Sequence, residues 1–377
     1  PQVICWKDSK YADRNATKNG ARVGGNIEDF RAIHFSAVKA KKHFDLDDEE
    51  QKFYQAEVLV KNFIPLEYIT NINNFGILIP NKPKQMQIKL PYTAQITRNT
   101  PTAFIFLIDH SVSMQNKTTL YGEEMTKAEA AARIVNAQIN ELVLRCIKME
   151  DTRHYYDIAV IGYGEKAYSG WQGELEGRDF VSPEELKNHP YTKIITRKEI
   201  RTRKGVQIKE IEQVQWITAR HDGSWTHYHA AFDYAKELLD KWMTKHHEQD
   251  CYPPTIIHIT DGWFNHASLD TVTQKANELK AMFTNDGNVI LFNIHFTADK
   301  DATPIACPIS KLELDDDYSK ALFDISSLLP ERYNADIARC LNDTRDGRHV
   351  AMGINADAST LIKLMDIGTP TNISQNK

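Results

Sequence analysis

A continuous apolar run at residues 104–108 is the feature of the sequence that most constrains the fold. A run without alternating polar residues is typical of a strand that is buried on both faces of a parallel sheet. Similar runs at 156–162 and 255–260 are separated from the first and from each other by stretches with helical periodicity. Buried strands that alternate with helices predict an α/β fold with a doubly wound, mostly parallel sheet flanked by helices.

The predicted strands and helices define one domain over residues 100–366. A long insertion at about 163–221 interrupts their rhythm with a capped helix and a hairpin. Residues 1–99 are first turn-rich and then alternate apolar and polar side chains, which predicts a small β-rich lobe of unknown role. Residues 367–377 are interpreted as a C-terminal tail.

Composition narrows the classes of protein that the chain can represent. With 377 residues, of which 41% are hydrophobic and 26% charged, it is typical of a soluble globular protein. The net charge of -5 argues against a mainly electrostatic nucleic-acid binder. No stretch approaches the roughly 20 apolar residues of a membrane span. The five cysteines have neither zinc-site nor disulfide-framework spacing, which favours a reducing, cytoplasmic location.

Oxygen-bearing side chains follow two of the predicted strands and precede one predicted helix. Asp109, Ser111 and Ser113 come directly after the first apolar run, Asp261 follows the third, and Thr226 precedes a helix. Because the carboxyl ends of parallel strands share one edge of a sheet, we expect these side chains to converge there. Two carboxylates and three hydroxyls are hard oxygen donors, which predicts a site for Mg²⁺ or Mn²⁺.

This set of residues resembles the metal-ion-dependent adhesion site of the von Willebrand factor type A (vWA) family. The family motif D-x-S-x-S matches Asp109, Ser111 and Ser113, and the distant Thr and Asp of the family fall on Thr226 and Asp261. The resemblance covers the predicted α/β domain and does not extend to the N-terminal lobe. It implies a vWA fold in which these five residues hold the metal ion.

The resemblance also implies a function, that of a metal-dependent protein-binding adaptor or scaffold. The bound Mg²⁺ would coordinate a carboxylate of a partner protein, so we expect a partner that presents Asp or Glu, such as an ATPase, kinase or phosphatase of the same system. On this hypothesis the chain is not an enzyme and has neither a nucleic-acid nor a membrane partner. Four side chains near the motif are candidates for contact with the partner: His110, Trp225, His227 and Trp263.

The alternative hypothesis is a Mg²⁺-dependent hydrolase or phosphoryl-transfer enzyme that uses the same metal site. A nearby histidine would then act as the base, with the metal as Lewis acid. The sequence contains no GxxxxGK[ST], GxSxG or HExxH motif, so the binding module is the leading interpretation.

Two charged segments lie outside the metal motif. The basic hairpin within the insertion could contact nucleic acid or an acidic partner, although a solvated hairpin is the simpler interpretation. The acidic run at 313–317 lacks the glycine and the spacing of a calcium-binding loop and predicts an exposed surface loop.

Overall fold

The chain divides into two compact units, Pro1–Met86 and Gln87–Lys377. The computed structural model describes residues 10–12, 23–24, 57–59, 91–120, 122–149, 151–202, 205–222, 225–262, 267–297 and 303–368. In the first unit three short antiparallel strands form a sheet in the order β2-β1-β3, and these are β1 (Lys10–Ala12), β2 (Val23–Gly24) and β3 (Glu57–Leu59). The other residues of the predicted β-rich lobe before residue 91 lie outside the described part of the chain, so its β-rich character stays a prediction.

The second unit alternates strands and helices. Its described strands are β4 (Thr102–Asp109), β5 (Lys117–Leu120), β6 (Glu123–Thr126), β7 (Ile147–Lys148), β8 (Asp151–Thr152), β9 (Tyr156–Tyr163), β10 (Ala167–Ser169), β11 (Thr192–Thr202), β12 (Gly205–Gln215), β13 (Thr255–Thr260), β14 (Phe283–Thr284), β15 (Gly287–Asn288), β16 (Ile290–Phe296), β17 (Ile305–Ala306) and β18 (Met352–Ala356). Its described α-helices are α1 (Lys127–Cys146), α2 (Pro183–Asn188), α3 (Tyr228–Lys245), α4 (Leu269–Ala281), α5 (Asp317–Ile325), α6 (Asn334–Leu341) and α7 (Ala358–Gly368).

A seven-stranded sheet in the order β10-β9-β4-β13-β16-β18-β17 forms the centre of this unit. The pairs from β9 to β18 are parallel, and only the two edge strands β10 and β17 run antiparallel to their neighbours. Helices α1, α6 and α7 contribute to the core on one face, and α3, α4 and α5 to the core on the other. This architecture confirms the predicted α/β fold.

Strand β4 shows why the apolar run has no polar positions. Phe104, Phe106 and Ile108 belong to the core on one face of the sheet, whereas Ile105 and Leu107 belong to the core on the other. Every residue of this strand is therefore buried, as is expected when helices cover both faces of a parallel sheet.

The order of the strands creates a crevice at one edge of the sheet. From β4 the chain passes to β9 on one side of β4 and later returns to β13 on its other side. At such a reversal the crossover connections diverge, so the carboxyl ends of β4 and β13 flank an open position. The first turn of α1 lies near this edge, where the helix begins in a capping box formed by Thr126 and Glu129.

The insertion between β9 and α3 adds β10, α2 and the β11–β12 hairpin to this framework. Helix α2 begins in the expected capping box of Ser182 and Glu185.

The first described residues of the second unit are bound to its α/β framework. Asp286 accepts hydrogen bonds from the amides of Thr93 (3.1 Å) and Ala94 (2.9 Å). The predicted boundary between residues 99 and 100 therefore falls inside the second unit. None of the described helices combines the length and apolar character that a membrane crossing requires.

Asn136 fastens the end of the hairpin to helix α1. Its buried side-chain amide donates to the carbonyl oxygens of Ala132 (2.9 Å) and Ile217 (2.8 Å). Its side-chain oxygen accepts from the amides of Trp216 (2.8 Å) and Ile217 (3.3 Å). The side chain of Asn136 thus provides hydrogen-bond partners for buried backbone groups in the irregular segment that follows β12.

We predict that Asn136→Leu destabilises the protein by about 3 kcal/mol, because it leaves buried backbone groups of Trp216 and Ile217 without this partner. Asn140→Leu, one turn further along α1 at a half-buried position, is the matched control and should cost less than about 1 kcal/mol. Urea unfolding monitored by circular dichroism measures both. Equal losses would show that Asn136 has no special role.

Candidate metal centre

Two acidic side chains lie at the ends of adjacent parallel strands. Asp109 is the last residue of β4, and Asp261 directly follows β13. Asp109 is fully buried and the side chain of Asp261 is inaccessible to solvent. Because an isolated carboxylate is costly to bury, the surrounding groups must compensate two negative charges at this edge.

Asp109 is held by hydrogen bonds on both of its oxygens. Its Oδ1 accepts from the backbone amide of Ser111 (2.8 Å), and its Oδ2 accepts from the hydroxyl of Thr260 (2.8 Å). Burial nevertheless raises the pKa of Asp109 to about 6, and the nearby Asp261 adds to this rise. These hydrogen bonds therefore offset only part of the cost of burying this carboxylate.

Asp261 has a counter-charge in Lys127, the first residue of α1. The ammonium donates to Oδ2 of Asp261 at 2.8 Å, and the lysine side chain is only 8% exposed. The other oxygen of Asp261 accepts a 2.6 Å hydrogen bond from the hydroxyl of Ser113. A buried ion pair of this kind compensates one of the two acidic charges and leaves the other.

The three predicted hydroxyl ligands lie beside these carboxylates. The hydroxyls of Ser111 and Ser113 are 3.1 Å apart. A Cβ built on Gly262 would lie 3.7 Å from the hydroxyl of Ser113 and 3.7 Å from that of Thr226, so both hydroxyls lie close to the same backbone position. Since Thr226 is buried as well, its hydroxyl belongs to this cluster and not to the surface.

The donor set fits a hard divalent cation. Carboxylate and hydroxyl oxygens suit Mg²⁺ and Mn²⁺, whereas zinc sites are usually built from Cys and His. In the described part of the chain no group of three or more His, Cys, Asp or Glu side chains is arranged to hold a metal. A bound cation would supply the charge that Asp109 lacks.

The candidates for partner contact have different environments. His110 is buried, with its ring against Gly162 and its Nδ1 2.5 Å from the hydroxyl of Tyr168, and its contact with a partner stays a prediction. Burial also lowers the pKa of His110 to about 4. His227 is half-buried and donates from Nδ1 to the carbonyl oxygen of Gly164 (2.9 Å).

Of the two tryptophan candidates, only Trp225 can be placed. Its side chain is 62% exposed directly beside the metal-site residue Thr226, which makes it accessible to a binding partner. Trp263 lies outside the described residues, as do Gly223 and Ser224. A contact between Trp225 and a partner stays a prediction.

Two functional side chains are not evident from the sequence. Lys127 occupies the first turn of a helix, where a lysine is ordinarily solvated, and its position after the N-cap Thr126 gives no sign of the ion pair. Thr260 is the last residue of a buried strand. Its hydroxyl lies within 3.1 Å of the Tyr228 hydroxyl and donates to Asp109, so it links the core to the site.

A family model for DarT, an ssDNA thymidine ADP-ribosyltransferase, matches residues 7–89 of this chain. No curated protein matches the chain. The DarT similarity lies in the stretch that we interpreted as a lobe of unknown role. It points to an enzyme, so the predictions of a non-enzymatic adaptor and of a chain without catalytic activity are wrong. The matched stretch contains none of the five predicted metal ligands. The alternative hypothesis had used those ligands for hydrolysis or phosphoryl transfer.

The chain is similar to several solved structures, one of which is a von Willebrand factor type A protein. A von Willebrand factor type A protein from Catenulispora acidiphila is 12% identical, covers 53% of this chain and 34% of its own, and has a TM-score of 0.31. Proximal thread matrix protein 1 from the mussel byssus, with a zinc-occupied MIDAS motif, is 14% identical over 72% of this chain and 48% of its own (TM-score 0.37). Manganese-loaded TRAP protein from Plasmodium vivax is 13% identical over 73% and 76% (TM-score 0.34).

This chain spans about a third of the first of these proteins and about half of the second. Because every one of the three TM-scores is below 0.4, the fold class rests on the strand order described above and not on these similarities.

We predict that Lys127→Met changes apo stability and metal affinity in opposite directions. Without metal, the loss of the ammonium leaves Asp261 buried without its counter-charge, which should cost about 3 kcal/mol. With Mg²⁺, the variant should bind at least about tenfold more tightly, because a positive charge beside the ligands has been removed. Thermal unfolding and titration calorimetry, each with and without Mg²⁺, measure the two effects.

Lys236→Met is the matched control, since Lys236 forms an exposed ion pair with Asp240 on α3. It should change stability by less than about 0.5 kcal/mol and leave metal affinity unaltered. If Lys127→Met binds Mg²⁺ no more tightly than the wild type, the ammonium does not oppose the cation.

Proposed function

We propose that the chain is an ADP-ribosyltransferase that modifies thymidine in single-stranded DNA. The observation that supports this proposal is the match of residues 7–89 to the DarT family model. In such a reaction the bond between nicotinamide and ribose of NAD⁺ breaks, nicotinamide leaves, and the ADP-ribosyl group forms a new bond to the thymidine, which loses a proton. The residues that perform this transfer belong to the first unit.

We further propose that the second unit is a vWA domain that holds a divalent cation, Mg²⁺ or Mn²⁺. Asp109, Ser111, Ser113, Thr226 and Asp261 would hold the ion. The support is the convergence of two buried carboxylates with three hydroxyls at the carboxyl ends of adjacent parallel strands. When bound, the cation supplies positive charge and a coordination position for an oxygen ligand.

This chain's own residues would position such a cation. Thr260 and the amide of Ser111 hold the carboxylate of Asp109 in one orientation, and Ser113 does the same for Asp261. Lys127 shields Asp261 when no cation is bound. A protein partner that presents Asp or Glu to the cation stays a prediction, as does a cytoplasmic location.

The transferase proposal predicts that the full chain attaches ADP-ribose to oligo(dT) in the presence of NAD⁺. The expected results are one added ADP-ribosyl group per modified thymidine by mass spectrometry and an equal amount of free nicotinamide. Oligo(dA) of the same length is the control, because it offers the same phosphate backbone without the thymine base. Nicotinamide release without an oligonucleotide adduct, or no release at all, would contradict the proposal.

The metal proposal predicts that Asp109→Asn weakens the binding of Mg²⁺ by at least about 100-fold, because even the loss of a residue that only supports a ligand costs 10- to 100-fold. The asparagine keeps an acceptor for the Ser111 amide, so the fold should persist by circular dichroism. Asp270→Asn, an exposed carboxylate in the first turn of α4, is the control and should bind Mg²⁺ as the wild type does. Equal Mg²⁺ binding by the wild type and Asp109→Asn would rule out this site.

A further inference from the structure

The β11–β12 hairpin is a long arm whose two strands pair only with each other in the described part of the chain. Each strand has 11 residues, and the register is continuous from Thr192↔Gln215 to Thr202↔Gly205. At about 3.3 Å per residue the ribbon is roughly 36 Å long. A two-stranded ribbon of this length buries little apolar surface by itself. We therefore infer that the hairpin has a role outside the core.

The hairpin concentrates positive charge in an acidic protein. Residues 192–215 contain seven basic and three acidic side chains, a net charge of +4, whereas the whole chain carries -5. Arg203 and Lys204 are two of the seven basic residues by sequence. Such segregation of charge is typical of a surface that meets a polyanion.

Because side chains alternate along a strand, the register divides the hairpin residues between two faces. The Arg197 face carries three basic residues, Lys193, Arg197 and Arg201, and all three glutamates, Glu199, Glu210 and Glu212. Arg197 lies directly opposite Glu210, as a complementary pair. At the base of this face Val214 packs against the core. The charges of the Arg197 face are therefore balanced within the protein.

The opposite face, the Lys198 face, contains no carboxylate. Lys198 and Lys209 lie directly opposite each other across the two strands, an arrangement that disfavours pairing when nothing neutralises the charges. The remaining positions on this face are threonine, glutamine, isoleucine and Gly205. At its base Ile194 is 40% exposed and Gln213 is exposed, so this face is open to solvent there.

We propose that the Lys198 face binds the phosphate backbone of single-stranded nucleic acid. An anion that binds both Lys198 and Lys209 would convert an unfavourable pair into a phosphate site. This inference rests on the proposed transferase function in one respect: that function supplies the reason why the polyanion is single-stranded DNA. The hairpin would then hold the strand that is to be modified.

The test is the binding of fluorescein-labelled oligo(dT) to the full chain, measured by fluorescence anisotropy over a series of salt concentrations. No NAD⁺ is present, so the result does not depend on whether transfer occurs. The wild type should bind with a strong salt dependence. The double variant Lys198→Gln, Lys209→Gln should bind about tenfold more weakly, with the slope of log K against log salt reduced by about 1.4, since each phosphate contact on a single strand contributes about 0.7.

The double variant Lys193→Gln, Arg197→Gln is the matched control, because it removes two positive charges from the other face of the same hairpin. It should weaken binding by less than about threefold and leave the slope nearly unchanged. Circular dichroism and thermal unfolding establish that both variants are folded.

Three results would overturn the proposal. The first is no binding of oligo(dT) by the wild type, and the second is an equal loss in the two double variants. The third is equal or tighter binding of polyglutamate or of duplex DNA with the same dependence on Lys198 and Lys209. Polyglutamate binding would indicate an acidic protein partner, and duplex binding would exclude specificity for a single strand. A further outcome is that the chain modifies oligo(dT) while the double variant Lys198→Gln, Lys209→Gln binds it as tightly as the wild type does. That result would support the transferase proposal and show that the hairpin does not bind the substrate.

Discussion

Two carboxylates buried at the ends of neighbouring parallel strands are the constraint around which the second unit is organised. Asp109 and Asp261 cannot both be charged at this edge without compensation, because desolvation costs each of them several kcal/mol. Among the described residues, Lys127 provides an ammonium, and Ser111, Ser113 and Thr260 provide hydrogen bonds. The raised pKa of Asp109 is the sign that this compensation is incomplete. A divalent cation would complete it.

The second unit also contains the β11–β12 hairpin, which we propose binds single-stranded nucleic acid. The chain that follows the hairpin leads to the proposed metal site. After β12 the chain is fastened to α1 by Asn136 and then reaches Thr226, one of the metal-site hydroxyls. The segment that follows the hairpin therefore leads to Thr226, one of the proposed metal-site residues. Residues 7–89, which are similar to the DarT family model, lie outside both the proposed metal site and the hairpin.

The framework of the second unit could be predicted from the sequence because its strands are buried on both faces. The runs at 104–108, 156–162 and 255–260 coincide with β4, β9 and β13, and strands of this kind have few alternative environments. Helix α5 was not predicted. Its acidic start was interpreted as an exposed loop, although Asp316 caps the helix by accepting from the amide of Ser319.

Side-chain environments were harder to predict than strands. His110 follows the end of β4 and was a candidate for contact with a partner, but its burial against Gly162 on the neighbouring strand is not evident from the sequence. Lys127 was missed because sequence position does not reveal a buried partner. The transferase similarity was missed for a different reason. The metal ligands cluster at strand ends in a short motif, whereas residues 7–89 contain no short motif that the sequence analysis could connect with chemistry.

A crystal structure of the full chain grown with Mn²⁺, with anomalous data collected at the manganese edge, would decide whether the buried carboxylates form a metal centre. We expect one anomalous peak at the carboxyl ends of β4 and β13, within about 2.5 Å of oxygens from at least two of Ser111, Ser113 and Thr226. The absence of a peak there, with the ion pair between Lys127 and Asp261 unchanged, would mean that Lys127 alone compensates the site and that this edge of the sheet does not bind a divalent cation.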